Sequence, residues 1–182
     1  MKKESNLSHA VHEIEPVFDR NSRVLILGSF PSVKAREGRF FYNHPQNRFW
    51  KVIAGLTGEP VPVTVEDKRA MLLRRHIAVW DVIHSCDIYG SSDSSIKNVV
   101  PNDLNRILKT ANICGIFANG GKSGELYVKY CQEAVGRPCT KLPSTSPANA
   151  SFSLEKLQLA WQPVKDVLDL FGDTQQIGAD NE

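Results

Sequence analysis

Three short apolar runs, each ended by a glycine or a polar residue, constrain the fold of this 182-residue sequence more than any other feature. They are RVLILG at residues 23–28, IAVWDVI at residues 77–83 and ICGIFAN at residues 113–119. Short continuous apolar runs of this kind are typical of buried parallel strands. A fourth strand is predicted at the start of TKLPSTSPANAS, residues 140–151.

Segments with helix start and stop signals separate these apolar runs. One helix is predicted from Asn47 to Gly58, and a second from Thr64 toward Arg75. Further helices are predicted over residues 101–109, 123–135 and 153–172. Strands that alternate with helices predict a three-layer α/β/α sandwich with a four-stranded, mostly parallel sheet.

The length and composition suit one soluble globular domain. Hydrophobic residues make up 41% of the chain and charged residues 23%, and the net charge is +2. We expect a single domain over residues 1–182, with a core of about 22–171 and flexible termini. The start, MKKESNLSHAVHEIEP, lacks an apolar stretch of signal-peptide length, and no run approaches the roughly 20 apolar residues of a membrane span. A cytoplasmic protein with no membrane partner is therefore expected.

The four cysteines, at positions 86, 114, 131 and 139, do not form a C-x-x-C pair. Zinc and iron–sulfur sites usually show closer cysteine spacing. We therefore expect neither a metal nor a cofactor, and we interpret the cysteines as reduced thiols of an intracellular protein.

Two loops follow predicted strands, over residues 29–46 and 143–151. Ligands of parallel α/β sheets bind beyond the carboxyl ends of the strands, so these loops are the expected site. The first loop begins with GSFPS, residues 28–32, in which glycine permits close approach and the amides of Ser29 and Phe30 suit an oxygen atom. The stretch is neither G-x-G-x-x-G nor G-x-S-x-G, which disfavours a dinucleotide site and a serine nucleophile.

The second loop, LPSTSPANA, is polar and contains two prolines. Its hydroxyl and amide groups suit a phosphate backbone, and its tip suits insertion into a groove.

Four segments, in this order, resemble the uracil-DNA glycosylase superfamily: LILGSFPS, FFYNHPQNRFWKVI, LPSTSPAN and SLEKL. They are most similar to its hypoxanthine-DNA (deoxyinosine) glycosylase branch, over roughly residues 22–170. The resemblance implies a four-stranded, mostly parallel sheet between helices. It also implies a monomer that acts on double-stranded DNA at the nucleoid, flips out a deaminated base and hydrolyses its glycosidic bond without a cofactor, leaving an abasic site.

The resemblance also implies roles for individual residues. Asn47 would be catalytic, its amide accepting a hydrogen bond from a water aimed at the sugar C1′. Tyr42 would stack on the flipped base, and Phe30 would form another wall. The base pocket would also contain Gly28, Ser29, Pro31 and His44. Contacts to DNA would come from Ser32, from Ser144, Thr145 and Ser146 as phosphate ligands, and from Pro147, Ala148 and Asn149 as the wedge that fills the gap.

One departure from the family bears on the substrate. Mismatch-specific uracil enzymes carry an asparagine in a G-I-N-P-G motif, where this sequence has Phe30. The difference favours a deaminated purine, hypoxanthine first and xanthine second. The alternatives are a mismatch-specific uracil or thymine glycosylase, a catalytically silent DNA-binding module, and a small-molecule hydrolase that uses Ser29 or Ser144.

Several of these residues also have a purely structural interpretation. Asn47 could cap the helix that follows, a position that asparagine favours. Tyr42 could be a packing ring, and His44 a turn residue. Asp81 follows Trp80 at the end of a strand and could assist a water, although a structural carboxylate is the commoner outcome.

Overall fold

The computed structural model describes the backbone of residues 7–177 and the side chains of residues 7–171. The strands in this range are β1 (Ser8–Val11), β2 (Val24–Gly28), β3 (Ile77–Asp81), β4 (Ile83–Ile88), β5 (Lys97–Pro101), β6 (Gly115–Asn119) and β7 (Thr140–Leu142). The helices are α1 (Val33–Gly38), α2 (Phe49–Thr57), α3 (Val65–Arg74), α4 (Asn105–Leu108), α5 (Gly121–Tyr130), α6 (Gln132–Val135), α7 (Leu154–Ala160) and α8 (Gln162–Ile177).

The main sheet has four parallel strands in the order β3-β2-β6-β7, which confirms the predicted fold class. Strand β2 lies inside the sheet, and its residues Val24 to Leu27 have no exposed surface. A strand covered on both faces gains from apolar side chains at every position, which explains why this run does not alternate.

Helices cover the main sheet and complete the α/β/α layers. Helix α3 packs on β3, α5 on β6 and β7, and α8 on β2 and β6. Helix α2 packs against α7 and α8. No helix in the described part of the chain is both long enough and apolar enough to cross a membrane.

A second, antiparallel sheet with strand order β1-β4-β5 was not predicted from the sequence. Strand β4 begins two residues after β3 ends, so the run predicted as one strand is divided between two sheets. Asn102 holds this turn, because its buried amide donates to the carbonyl oxygens of Asp81 (2.9 Å) and Ile83 (3.1 Å).

Three predicted boundaries are corrected. Part of the first loop is helix α1, whose start is capped by Ser32 through a hydrogen bond from the Ala35 amide. The helix predicted from residue 101 begins at Asn105, because residues 97–101 pair in β5 and the Asn102 side chain binds carbonyl groups. The last helix is divided into α7 and α8 and continues to Ile177. The termini predicted as flexible, residues 1–21 and 172–182, include β1 and the last turn of α8, and their residues 1–6 and 178–182 lie outside the described range.

Two buried tryptophan side chains anchor the two predicted loops to the core through hydrogen bonds from their indole N–H groups. Trp50 Nε1 donates to the carbonyl oxygen of Tyr42 at 3.2 Å, and Trp161 Nε1 donates to that of Pro143 at 2.9 Å. Both rings are buried among apolar side chains, so neither hydrogen bond competes freely with water. Each loop is thus fixed at a point where it leaves the hydrophobic core.

Replacing Trp161 with Phe tests this anchoring. The change leaves the Pro143 carbonyl without its donor, so we expect the free energy of unfolding to fall by about 1–3 kcal/mol. Urea denaturation measures the difference. Leu159→Ala, two residues earlier on α7, is the control, because Leu159 is 73% exposed, and it should change stability by at most about 0.5 kcal/mol. Equal losses from the two variants would contradict the anchoring role.

Candidate active site at the carboxyl edge of the main sheet

A cavity of about 360 Å³ lies beyond the carboxyl ends of β2, β3 and β6. The structure brings both predicted loops to it, and every predicted site residue except Asn149 lines it. Gly28, Asp81 and Asn119, the last residues of the three strands, also line it. The location agrees with the rule that parallel sheets bind ligands at this edge.

The amide of Asn47 is held in one orientation. Its Oδ1 accepts hydrogen bonds from the Phe49 backbone amide (3.0 Å) and from the Thr145 hydroxyl (2.9 Å). Because a backbone N–H can only donate, the oxygen must face Phe49 and the amide cannot be reversed. The N-cap position of α2 is occupied by Arg48, so Asn47 caps the first amide of the helix from one residue outside it rather than as the N-cap residue itself. Nδ2 makes no hydrogen bond within residues 7–171, so Asn47 presents a donor to the cavity.

Thr145 links Asn47 to the main sheet. Its hydroxyl accepts from Asn119 Nδ2 at 3.0 Å and donates to Asn47, while its backbone amide donates to Asn119 Oδ1 at 3.0 Å. Thr145 is 0% exposed. The predicted phosphate contact of Thr145 is therefore wrong, because the side chain is covered and its hydroxyl is already used. We assign it to positioning Asn47.

Arg48 fixes the shape of the second loop. Its guanidinium donates to the carbonyl oxygens of Ser146 (3.1 Å) and Asn149 (2.9 Å), and to that of Phe152. The loop also closes on itself, because Asn149 Nδ2 donates to the Ser144 carbonyl at 3.0 Å. Asn149 does not line the cavity and its amide is used inside the loop, so it differs from the other predicted site residues, and its predicted place in the wedge finds no support in this arrangement.

The other polar residues of this loop and its tip remain accessible. Ser144 Oγ accepts from the Ser146 amide, and Ser146 Oγ accepts from the Ala148 amide, so each hydroxyl keeps its hydrogen for donation. Pro147 and Ala148 are exposed at the tip. The loop therefore presents two hydroxyl donors beside a small apolar tip.

Tyr42 is held in a strained backbone conformation with its ring against the cavity. Its φ is +50°, in the left-handed region that non-glycine residues rarely adopt. One face of the ring stacks on Phe49, with centroids 4.1 Å apart. Burial and then the nearby Asp81 charge raise the pKa of Tyr42 well above its usual value, so the phenol stays neutral. Its hydroxyl is buried and makes no hydrogen bond within the described residues.

Asp81 and His12 form a buried pair at the cavity floor. Asp81 is 4% exposed and His12 is 7% exposed. His12 Nδ1 accepts the Ile14 amide at 3.3 Å, which leaves the ring proton on Nε2, and Nε2 lies 2.7 Å from Asp81 Oδ2. The rings of Phe30, Phe41 and Trp80 surround the imidazole. These contacts hold the carboxylate at the end of β3.

Phe30 and His44, both predicted pocket residues, have partners of their own. Phe30 is buried and meets His12 edge-on, so its ring supports the Asp81–His12 pair as well as lining the cavity. His44 Nδ1 accepts the Gln46 amide at 3.1 Å, as in a turn histidine, which leaves Nε2 toward the cavity rim as a donor.

A third loop, residues 89–95, also contributes to the site. Ser29 Oγ donates to Asp93 at 3.0 Å, the Val33 amide donates to Ser91 Oγ at 2.9 Å, and Arg36 donates to the Gly90 carbonyl at 2.8 Å. This loop therefore supports the Gly28–Ser32 stretch from outside.

A larger hollow of about 780 Å³ lies at the opposite end of β2. Among its basic residues, Arg74 and Arg75 share Glu59, and Lys165 is paired with Asp169. Neither predicted loop lines this hollow, whereas both line the smaller cavity, which is therefore the better candidate site. Among residues 7–171, no group of three or more His, Cys, Asp or Glu side chains is placed to hold a metal ion.

The fold and the site together define an α/β protein of the uracil-DNA glycosylase type. Residues 15–167 match the model of the uracil DNA glycosylase superfamily. The chain is 32% identical over 148 residues to the hypoxanthine DNA glycosylase of Methanosarcina barkeri (strain Fusaro), which covers 80% of this chain and 92% of that protein. It is 32% identical over 150 residues to the protein of the same name from Methanosarcina acetivorans, covering 81% and 93%.

The structural comparison agrees. The solution NMR structure of a candidate uracil DNA glycosylase from Methanosarcina acetivorans superposes with a TM-score of 0.72 at 32% identity, covering 86% of this chain and 96% of that one. The chain therefore belongs to the uracil DNA glycosylase superfamily and is a DNA glycosylase, a hydrolase of N-glycosyl bonds. The predicted resemblance is confirmed.

Sequence reasoning missed His12, Arg48, Asn119 and the third loop. Asn119 ends a predicted strand just before GG, so the strand-end rule alone could have identified it. His12 and Arg48 carry no local signal, because their partners lie 69 and at least 98 residues away.

Gly28 should not tolerate a side chain. A Cβ at this position would lie 2.2 Å from Asp81 Oδ1, inside the van der Waals contact distance. We expect Gly28→Ala to lower the free energy of unfolding by about 1–3 kcal/mol, because the buried carboxylate must move. Gly121→Ala is the matched control, since no atom lies within 4 Å of its added Cβ. Chemical denaturation of both variants gives the comparison, and an unchanged Gly28→Ala protein would refute the close approach.

Proposed function

We propose that this protein removes hypoxanthine from deoxyinosine in double-stranded DNA, with xanthine as a second substrate, and leaves an abasic site. The observation that carries the proposal is the Asn47 amide, fixed at the mouth of a cavity formed by the two loops that match the family. The names of the two relatives from Methanosarcina support hypoxanthine as the base. Action on DNA would place the protein at the nucleoid, as a monomer in the cytoplasm.

The cavity suits a base that has left the duplex. Its volume of about 360 Å³ lies in the range of small-molecule sites, about 300–1,000 Å³. Extruding a nucleotide costs a few kcal/mol, and the cost is least for a damaged or mispaired base. A deaminated base that pairs poorly would therefore enter more readily than an intact one.

Tyr42 would receive the flipped base. Its ring is already stacked on Phe49 on one face, so a base can stack only against the other face. The exposed tip at Pro147 and Ala148 would occupy the gap in the duplex, and the hydroxyls of Ser144 and Ser146 would hold adjacent phosphates. Ser32 and His44 would add contacts at the rim.

Asn47 would position the attacking water through its nitrogen. Oδ1 already accepts two hydrogen bonds, from the Phe49 amide and the Thr145 hydroxyl, so donation from Nδ2 to the water oxygen replaces the predicted acceptor role. The second lone pair of that water would then face C1′. An amide cannot take a proton at neutral pH, which suits a dissociative reaction in which the sugar becomes cationic before water bonds.

The departing base needs stabilisation as negative charge develops on it. The backbone amides of Ser29 and Phe30, at the end of β2, would donate hydrogen bonds to its ring. Gly28 allows this stretch to approach the base closely, and Pro31 follows the two donors.

Incubation with defined duplexes tests the proposed substrate. Duplexes containing hypoxanthine, xanthine, uracil or thymine mismatches are treated with the protein and then with alkali, which cleaves abasic sites. We expect hypoxanthine to be released fastest and xanthine second. Strong release of uracil with none of hypoxanthine would make this a mismatch-specific uracil enzyme, and binding without any release would make it a silent DNA-binding module.

Two substitutions of Asn47 separate catalysis from helix capping. Asn47→Asp keeps both hydrogen bonds to Oδ1 and loses only the Nδ2 donor, whereas Asn47→Ala loses both functions. We expect each variant to lose about 100-fold or more in the single-turnover rate, because the water is no longer positioned. Only Asn47→Ala should also lose about 1 kcal/mol of stability, as capping residues do. An Asn47→Asp enzyme with wild-type activity would contradict a donor role for Asn47.

A further inference from the structure

One carboxylate oxygen of Asp81 is hydrogen-bonded to His12, and the other is free to accept a hydrogen bond in the cavity. Oδ2 lies 2.7 Å from His12 Nε2, which carries the ring proton because Nδ1 accepts the Ile14 amide. Oδ1 makes no hydrogen bond within residues 7–171, and it lies over Gly28, where an added Cβ would meet it at 2.2 Å. Asp81 lines the cavity although only 4% of its surface is exposed. A deeply placed acceptor without a donor is a specific feature of this site.

The depth of Asp81 determines which part of a flipped base it can meet. The sugar and phosphates of a flipped nucleotide stay attached to the DNA strand, so they must remain at the mouth of the cavity. The floor then faces the edge of the base opposite the glycosidic bond. For a purine, that edge carries N1 and the substituents at C2 and C6.

Tyr42 supports the same orientation. Its ring forms the wall on which the base would stack. Its hydroxyl and Asp81 Oδ1 both lie close to Gly28, because a Cβ added there would be 3.3 Å from the hydroxyl and 2.2 Å from Oδ1. Asp81 Oδ1 and the hydroxyl end of the tyrosine ring therefore lie close together, next to Gly28. A purine that lies flat against this ring would direct its outer edge toward the carboxylate.

We propose that Asp81 is a specificity-determining residue that accepts a hydrogen bond from the N1–H of a 6-oxopurine. Deamination of adenine converts N1 from an acceptor into a donor, so a carboxylate at this place reads the product of the damage itself. The N1 of adenine would instead direct its lone pair at the negatively charged Asp81 carboxylate, which is repulsive. The inference rests on the proposed function, and it separates hypoxanthine from adenine but not from guanine, which carries the same N1–H.

Asp81→Asn is a close test of this contact. The His12 Nε2–H requires an acceptor, so the amide oxygen should take the place of Oδ2 and the NH2 group should face the cavity. One cavity-facing atom then changes from an acceptor to a donor while the buried pair is kept. Duplexes containing hypoxanthine (N1–H) or unsubstituted purine (N1 lone pair) are compared by kcat/KM for base release.

We expect the wild type to prefer hypoxanthine and Asp81→Asn to shift the hypoxanthine-to-purine ratio toward purine by about 10-fold or more, as for a lost buried hydrogen bond. Asp87→Asn is the matched control, because Asp87 lies outside the cavity and pairs with His9, and it should leave the ratio unchanged. Equal losses on both substrates in Asp81→Asn would overturn base reading, since they indicate a general role in catalysis or folding.

A measurement on the wild type keeps the test decisive if Asp81→Asn does not fold. A duplex with 1-methylhypoxanthine, which lacks the N1–H, should be processed at least about 10-fold more slowly than one with hypoxanthine. Equal rates would overturn the role of Asp81. Release of no base from hypoxanthine DNA by the wild type would instead refute the proposed function, so the two failures are distinguishable.

Discussion

The hydrogen-bond chain from Asn119 through Thr145 to Asn47 is the constraint on which the site depends. It joins the end of β6, the loop after β7 and the start of α2, three segments that are distant in sequence. Each group in it has a fixed direction, because the Phe49 amide can only donate and so sets the Asn47 oxygen. Since Thr145 is fully buried, water does not compete with these bonds. The orientation of the Asn47 amide, the proposed catalytic group, is therefore determined by the packing of the loop.

The main sheet could be predicted from the sequence because its strands are covered on both faces. Residues 24–27 are apolar at every position for this reason, and Gly28 ends the strand where Asp81 approaches. The second sheet was missed because its pairing is not local: His9 on β1 lies opposite Asp87 on β4. Strand β1 has four residues, and three of them are exposed, so it carries no apolar run. A short exposed strand of this kind cannot be recognised from its own residues, because only its pairing with a distant strand defines it.

The candidate site was predictable in position but not in orientation. The rule for strand ends and the family motifs indicated both loops, and the cavity contains almost all of the predicted residues. What the sequence could not show is which atom each side chain presents. The cavity-facing atom of Asn47 depends on the Thr145 hydroxyl, and that of Asp81 depends on His12, with partners 98 and 69 residues away. The same non-local partners explain why Thr145 was wrongly expected at the DNA surface.

Asp81 and Asn47 present hydrogen-bonding groups of opposite kind to the cavity. Under the proposed function, the choice of base and the rate of hydrolysis would therefore depend on different residues. Asp81 presents an acceptor at the floor, and Asn47 presents a donor nearer the loops. A base held at its outer edge by the first would leave its glycosidic bond near the second. Under the proposed function, Tyr42, strained in its backbone and stacked on Phe49, would set the plane of the base between these two groups. In such a site a substitution of Asp81 would alter the preferred base while leaving Asn47, the proposed water-positioning residue, unchanged.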